Sequence, residues 1–83
     1  MTAEEKIDKL VQRMAANPSN VRFADLLAVC EHHFGSCRQR GSHYVFSMPW
    51  PGDPRVNIQA GGAKAKPYQV RQVLTAIAKK EAL

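Results

Sequence analysis

Arg38-Gln39-Arg40-Gly41-Ser42-His43 places two guanidinium groups, a glycine turn and an imidazole close together in the chain. Imidazole exchanges a proton near neutral pH, and guanidinium groups hold phosphate oxygens through paired N–H donors. Those groups suit the cleavage of a phosphodiester, above all in RNA. There a neutral histidine takes the proton of a ribose 2′-OH, whose oxygen then attacks the adjacent phosphorus. General-base assistance of this kind contributes about 10²–10⁴-fold. Cations fixed where charge develops on the phosphoryl oxygens contribute roughly a few kcal/mol more. His43 is the candidate base, with Arg38, Arg40 and Arg55 as candidate phosphate ligands. Gly41 permits close approach of a backbone, and Ser42 can orient the ring or bond a phosphate oxygen.

The elements that must position these groups are legible in the hydrophobic pattern. Thr2-Ala3-Glu4-Glu5 forms a capping box, and Ile7, Leu10, Val11 and Met14 follow at helical spacing. Asn17-Pro18-Ser19-Asn20 ends that helix. A second helix carries Phe23, Leu26, Leu27, Cys30 and Phe34, with Gly35 as its C-terminal cap. His32 falls opposite its apolar stripe and His33 nearer the edge.

From residue 37 the period changes to that of a sheet. A short strand over 37–40, a turn at Gly41-Ser42 and a returning strand over 43–48 form a hairpin. Alternation puts Tyr44, Phe46 and Met48 on one face and His43, Val45 and Ser47 on the other. The Pro49-Trp50-Pro51-Gly52-Asp53-Pro54 segment is a loop, because proline cannot donate to a ladder and Gly-Asp favours a turn. Arg55 to Gln59 alternate again as a third strand, with Val56 and Ile58 inward. Residues 60–66 predict a small, flexible, basic connector. Pro67 then opens a last helix with Val70, Val73, Leu74 and Ile77 on its stripe. The order helix, helix, three antiparallel strands, helix predicts an α+β domain with helices on one sheet face and the other face open.

Composition narrows the function classes. The chain has 83 residues and a formal net charge of +5, enough for one small domain. Residues 1–37 hold four basic and five acidic side chains, whereas residues 38–83 hold eight and two. The basic half therefore coincides with the half carrying His43, which points to a polyanion or an acidic protein partner. Lys64, Lys66 and Arg71 belong to it as general phosphate contacts or solvated charges, not as specific readers. No apolar run approaches the ~18 residues of a membrane span. The acidic start, Met1-Thr2-Ala3-Glu4-Glu5, lacks the basic and apolar stretches of a signal peptide, so a cytoplasmic protein is expected. Cys30 and Cys37 fit that compartment as free thiols. With His33 they offer three metal ligands but no fourth. No carboxylate pair, Ser-His-Asp set or phosphate-binding glycine motif is present, and neither metal nor cofactor is expected.

The run Arg38-Gln39-Arg40-Gly41-Ser42-His43-Tyr44-Val45-Phe46, set between a helix and a third strand with closing helix, resembles the HicA toxins. These are small bacterial mRNA interferases of type II HicA–HicB toxin–antitoxin systems. The resemblance covers residues 21–78, within a single HicA-like domain spanning 1–83, and makes 1–17 an additional N-terminal helix. It implies a double-stranded-RNA-binding-domain-like fold, endonucleolytic cleavage of mRNA without a metal, and a HicB-like antitoxin as protein partner. The histidine of the family's Gly-Ser-His is catalytic and maps onto His43. Many members carry a proline and a second histidine beyond the third strand; Asn57-Ile58-Gln59-Ala60-Gly61-Gly62 has neither.

Two other readings use the same basic face. One is a non-catalytic RNA- or nucleic-acid-binding module, which tolerates loss of His43. The other is a protein-interaction domain that meets an acidic partner. Trp50, flanked by prolines, is the candidate partner-binding anchor, since tryptophan is enriched among interface hot spots.

Overall fold

A computed structural model describes residues 2–52 and 54–83. Thr2 caps the first helix, α1 (Ala3–Ala16), its Oγ1 accepting from the Glu5 backbone N–H at 3.1 Å. The helix stops at Asn17, before Pro18, as the proline rule requires. Helix α2 (Phe23–Phe34) ends on Gly35, whose φ of 83° lies in the left-handed region that favours glycine. Strands β1 (Arg38–Arg40), β2 (His43–Ser47) and β3 (Arg55–Gln59) follow, and α3 (Pro67–Glu81) closes the chain with Pro67 in its first turn.

The three strands form an antiparallel sheet in the order β1-β2-β3. Arg40 faces His43 across the first hairpin, and His43 faces Gln59 across the second ladder. One sheet face is covered: Phe46 and Ile58 are fully buried, with Met48 and Val56 nearly so. They pack with Leu26, Val29 and Cys30 of α2 and with Val70 and Val73 of α3. Each large apolar side chain buried this way contributes roughly 1.5–3 kcal/mol. Helix α1 belongs to the same core through Ile7 and Met14. The chain is thus an α+β fold with an open three-stranded sheet, α2 and α3 covering one face of it and α1 packed on those two helices. Among the described residues no helix is long and apolar enough to cross a membrane.

Several local expectations need correction. Residue 37 lies outside the first strand, its side chain half-buried against the core, so β1 begins at Arg38. Strand β2 ends at Ser47: the Met48 N–H still donates to the Pro54 carbonyl, but Pro54 has no N–H to return the bond and the ladder stops there. Asp53, half of the expected Gly-Asp turn, lies outside the described residues. The connector over 60–66 is not loose. The Phe23 N–H donates to the Ala63 carbonyl at 2.9 Å and the Ala65 N–H to the Val21 carbonyl at 2.8 Å, making an Arg22–Lys64 bridge. Ala65 is buried between them. Long-range backbone hydrogen bonds of this kind leave no trace in composition.

The far end of the helical layer is also tied together. Lys80 Nζ donates to the His33 carbonyl, one of the carbonyls left open at the end of α2. His33 Nε2 is buried without a hydrogen-bond partner among the described residues, in a groove lined by Asp8, Gln12 and Glu81. Burial, then the neighbouring His32 and Lys80, lower the His33 pKa. Burial pushes the Cys30 thiol up to about 12, with Cys37 and Glu31 adding to the effect. Both cysteines are free.

Candidate nucleic-acid interface

Cross-strand partners share a sheet face, so the register defines what lies on the uncovered side. Arg40, His43 and Gln59 form one row across the sheet; Arg38, Val45 and Asn57 form the next; Ser47 and Arg55 form a third. The side chains of Arg38, Arg40, His43, Ser47, Arg55 and Asn57 are exposed. The alternation in the sequence therefore located this face correctly, and His43 stands on it.

The hairpin that presents His43 depends on Gly41. Its φ is +57°, and a Cβ there would meet nothing within 4 Å. Substitution is thus opposed by backbone conformation alone, at about 1–2 kcal/mol. The turn carries no steric closure towards a ligand, so Gly41 and Ser42 are open on the same edge as the imidazole.

His43 Nδ1 lies 3.2 Å from Asn57 Oδ1 on the neighbouring strand. With the amide oxygen towards the ring, Nδ1 is the nitrogen that donates to Asn57, and in the neutral imidazole that leaves Nε2 as the acceptor. A base oriented by a second side chain is the arrangement general-base catalysis needs. Asn57 was not among the candidate site residues. The signal for it was present, since alternation put Asn57 and His43 on the same face, but the diagonal pairing depends on register.

Beside this pair the face dips into an open depression of about 490 Å³, lined among others by Arg38, Arg40, Ser47 and Arg55. The three arginines named from the sequence therefore converge on one concavity of the open face. His43 does not line it. The imidazole stands at its border, on the Arg40 row.

The remaining candidates separate. Lys66 Nζ donates to Gln59 Oε1 at 3.1 Å, which brings it to the residue opposite His43. Lys64 sits in the bridge to Arg22, beyond the end of β3. Trp50 is half-buried, with Lys79 Nζ 5.0 Å from its ring centroid, a cation–π contact on the α3 side of the molecule. It does not join the arginine depression. Among the described residues no group of three or more His, Cys, Asp or Glu side chains is placed to hold a metal ion. No family model, no curated protein and no solved structure matches this chain.

Proposed function

We propose that the chain is a HicA-like mRNA interferase toxin: a cytoplasmic endoribonuclease of double-stranded-RNA-binding-like fold, neutralised by a HicB-like antitoxin. The observation that carries the proposal is an exposed histidine, oriented by Asn57, bordering a depression lined by three arginines. The α-β-β-β-α order of residues 23–81 and the open sheet support the fold reading.

In the proposed reaction, His43 Nε2 removes the 2′-OH proton. The 2′-oxygen forms a bond to phosphorus as the bond from phosphorus to the 5′-oxygen breaks. The products are a 2′,3′-cyclic phosphate and a 5′-hydroxyl, whose proton comes from the imidazolium or water. Arg38, Arg40 and Arg55 bear the charge that develops on the phosphoryl oxygens. Gly41 and Ser42 admit the backbone, and Lys64 and Lys66 extend the positive track. The 2′-OH supplies the nucleophile, so the step needs no metal. An antitoxin that buries the basic face would block it, with Trp50 as a candidate anchor at the neighbouring loop.

One observation favours a second reading, a non-catalytic RNA-binding module: the arginine depression is complete without His43. Controlled expression in a bacterial host separates the two. Growth arrest with loss of intact mRNA, abolished by His43→Ala at equal protein level, is the outcome expected of the nuclease. Arrest that persists in His43→Ala without RNA loss would identify the binding module.

A further inference from the structure

Tyr68 is 60% exposed; among the described residues only Leu83, the last in the chain, is a comparably exposed large hydrophobic side chain. The other aromatic residues are buried or half-buried. Yet the Tyr68 side chain is not loose. Its hydroxyl accepts a hydrogen bond from Gln69 Nε2 at 3.2 Å. Gln69, 3% exposed, is the one buried polar side chain of the described residues, and its Oε1 accepts from the Gln59 N–H at 3.0 Å.

That second bond ties the ring to the candidate site. Gln59 is the cross-strand partner of His43, and its own side chain receives Lys66. Gln69 therefore joins the first turn of α3 to the end of β3 at the His43 row. A buried amide with both ends occupied is a stiff link, because breaking either bond strands a desolvated polar group at about 1–3 kcal/mol. Arg71, three residues on and exposed, lies on the same side of the helix as Tyr68. A fixed tyrosine with its ring in solvent, flanked by Lys66 and Arg71, has the make-up of a stacking platform for an unpaired base.

We propose that Tyr68 stacks on an unpaired RNA base close to the cut phosphodiester, so that the substrate is single-stranded there. Gln69 is the positioning residue that sets the distance from Tyr68 to His43. The proposal rests on the RNA-cleaving reading for its substrate, but it concerns binding and is measured without cleavage.

The test uses the full chain and a single-stranded RNA made uncleavable by 2′-O-methyl sugars, carrying 2-aminopurine as a fluorescent base. Wild-type protein is expected to quench the fluorophore on binding. Tyr68→Ala is expected to weaken binding by about 5- to 100-fold and to lose the quench, whereas Tyr68→Phe, which keeps the stacking ring but loses the bond from Gln69, is expected to retain the quench and to bind between the two. Binding to a fully paired duplex of the same sequence is expected to be equal for the three proteins. The proposal is overturned if Tyr68→Ala binds the single strand as tightly as wild type at equal thermal stability. It is overturned equally if single-strand and duplex binding fall together, or if wild type binds no single strand at low salt. Cleavage of an unmodified strand by wild type and His43→Ala, run in parallel, reports on the nuclease reading alone. Stacking without cleavage would retain Tyr68 and dismiss the nuclease.

Discussion

The two faces of one three-residue-to-five-residue-strand sheet are built on opposite principles. On the covered face Phe46, Val56 and Ile58 vanish beneath α2 and α3. On the open face, one residue along each strand, Arg40, His43, Ser47, Arg55 and Asn57 stay in water. Burial is what holds a small domain together, so the covered face carries the fold. Polar side chains in solvent add little to stability, so an ordered set of them on the open face is better accounted for by what it binds. The same strand thus serves two purposes through its period of two.

Substitutions on each face test that division. The largest effect belongs to the covered side. Phe46→Ala is expected to cost about 3–5 kcal/mol, a large share of the stability of a domain this small. Urea titration reads it as a lowered midpoint. If Phe46→Ala changed RNA binding but not the midpoint, the division between the faces would be wrong.

Replacing Arg38, Arg40 and Arg55 together by Gln is expected to leave the urea midpoint near wild type and to weaken RNA binding. It should also reduce the steepness of log affinity against log salt by about 2, since each phosphate contact on a single strand contributes about 0.7. An unchanged salt slope would remove the arginine depression from the RNA track.

Asn57→Ala sharpens the comparison within the open face. Loss of the bond to His43 is worth about 1 kcal/mol, so kcat is expected to fall roughly fivefold with KM and melting temperature unchanged. A change in KM alone would place Asn57 in substrate binding instead of in the orientation of the base.

The smallest effect lies away from the sheet. The folded-state pKa of His33 is lowered, so the unfolded chain binds the proton more readily. Its contribution to stability is complete above the ordinary histidine pKa of about 6.5 and is lost as pH falls from there through the folded value. Melting temperature should drop over that range in wild type, and His33→Gln should flatten the drop. RNA cleavage measured at constant fold should not follow it.

Much of this division was legible before any coordinates. Alternation in His43 to Met48 and Arg55 to Gln59 assigned inward and outward residues, and Gly41-Ser42 marked the turn between Arg40 and His43. What escaped were pairings made across long stretches of chain. The hydrogen bond between His43 Nδ1 and Asn57 Oδ1 depends on register, and the bridge from Arg22 to Lys64 on how two loops meet. Gln69 looks like an ordinary polar helix residue until β3 is seen to end against it. Trp50 between prolines reads as an interaction anchor, and nothing in that pattern signals that Lys79 of α3 lies over its partly buried ring.

The most direct test of the central claim compares purified wild type with His43→Ala, matched in melting temperature, on a defined RNA strand. The account predicts products ending in a 2′,3′-cyclic phosphate, identified by mass spectrometry. It also predicts a rate at least about 100-fold lower in His43→Ala and no cut where the nucleotide lacks its 2′-OH. Cleavage by His43→Ala at the wild-type rate, or equal cleavage of the 2′-deoxy strand, would contradict it.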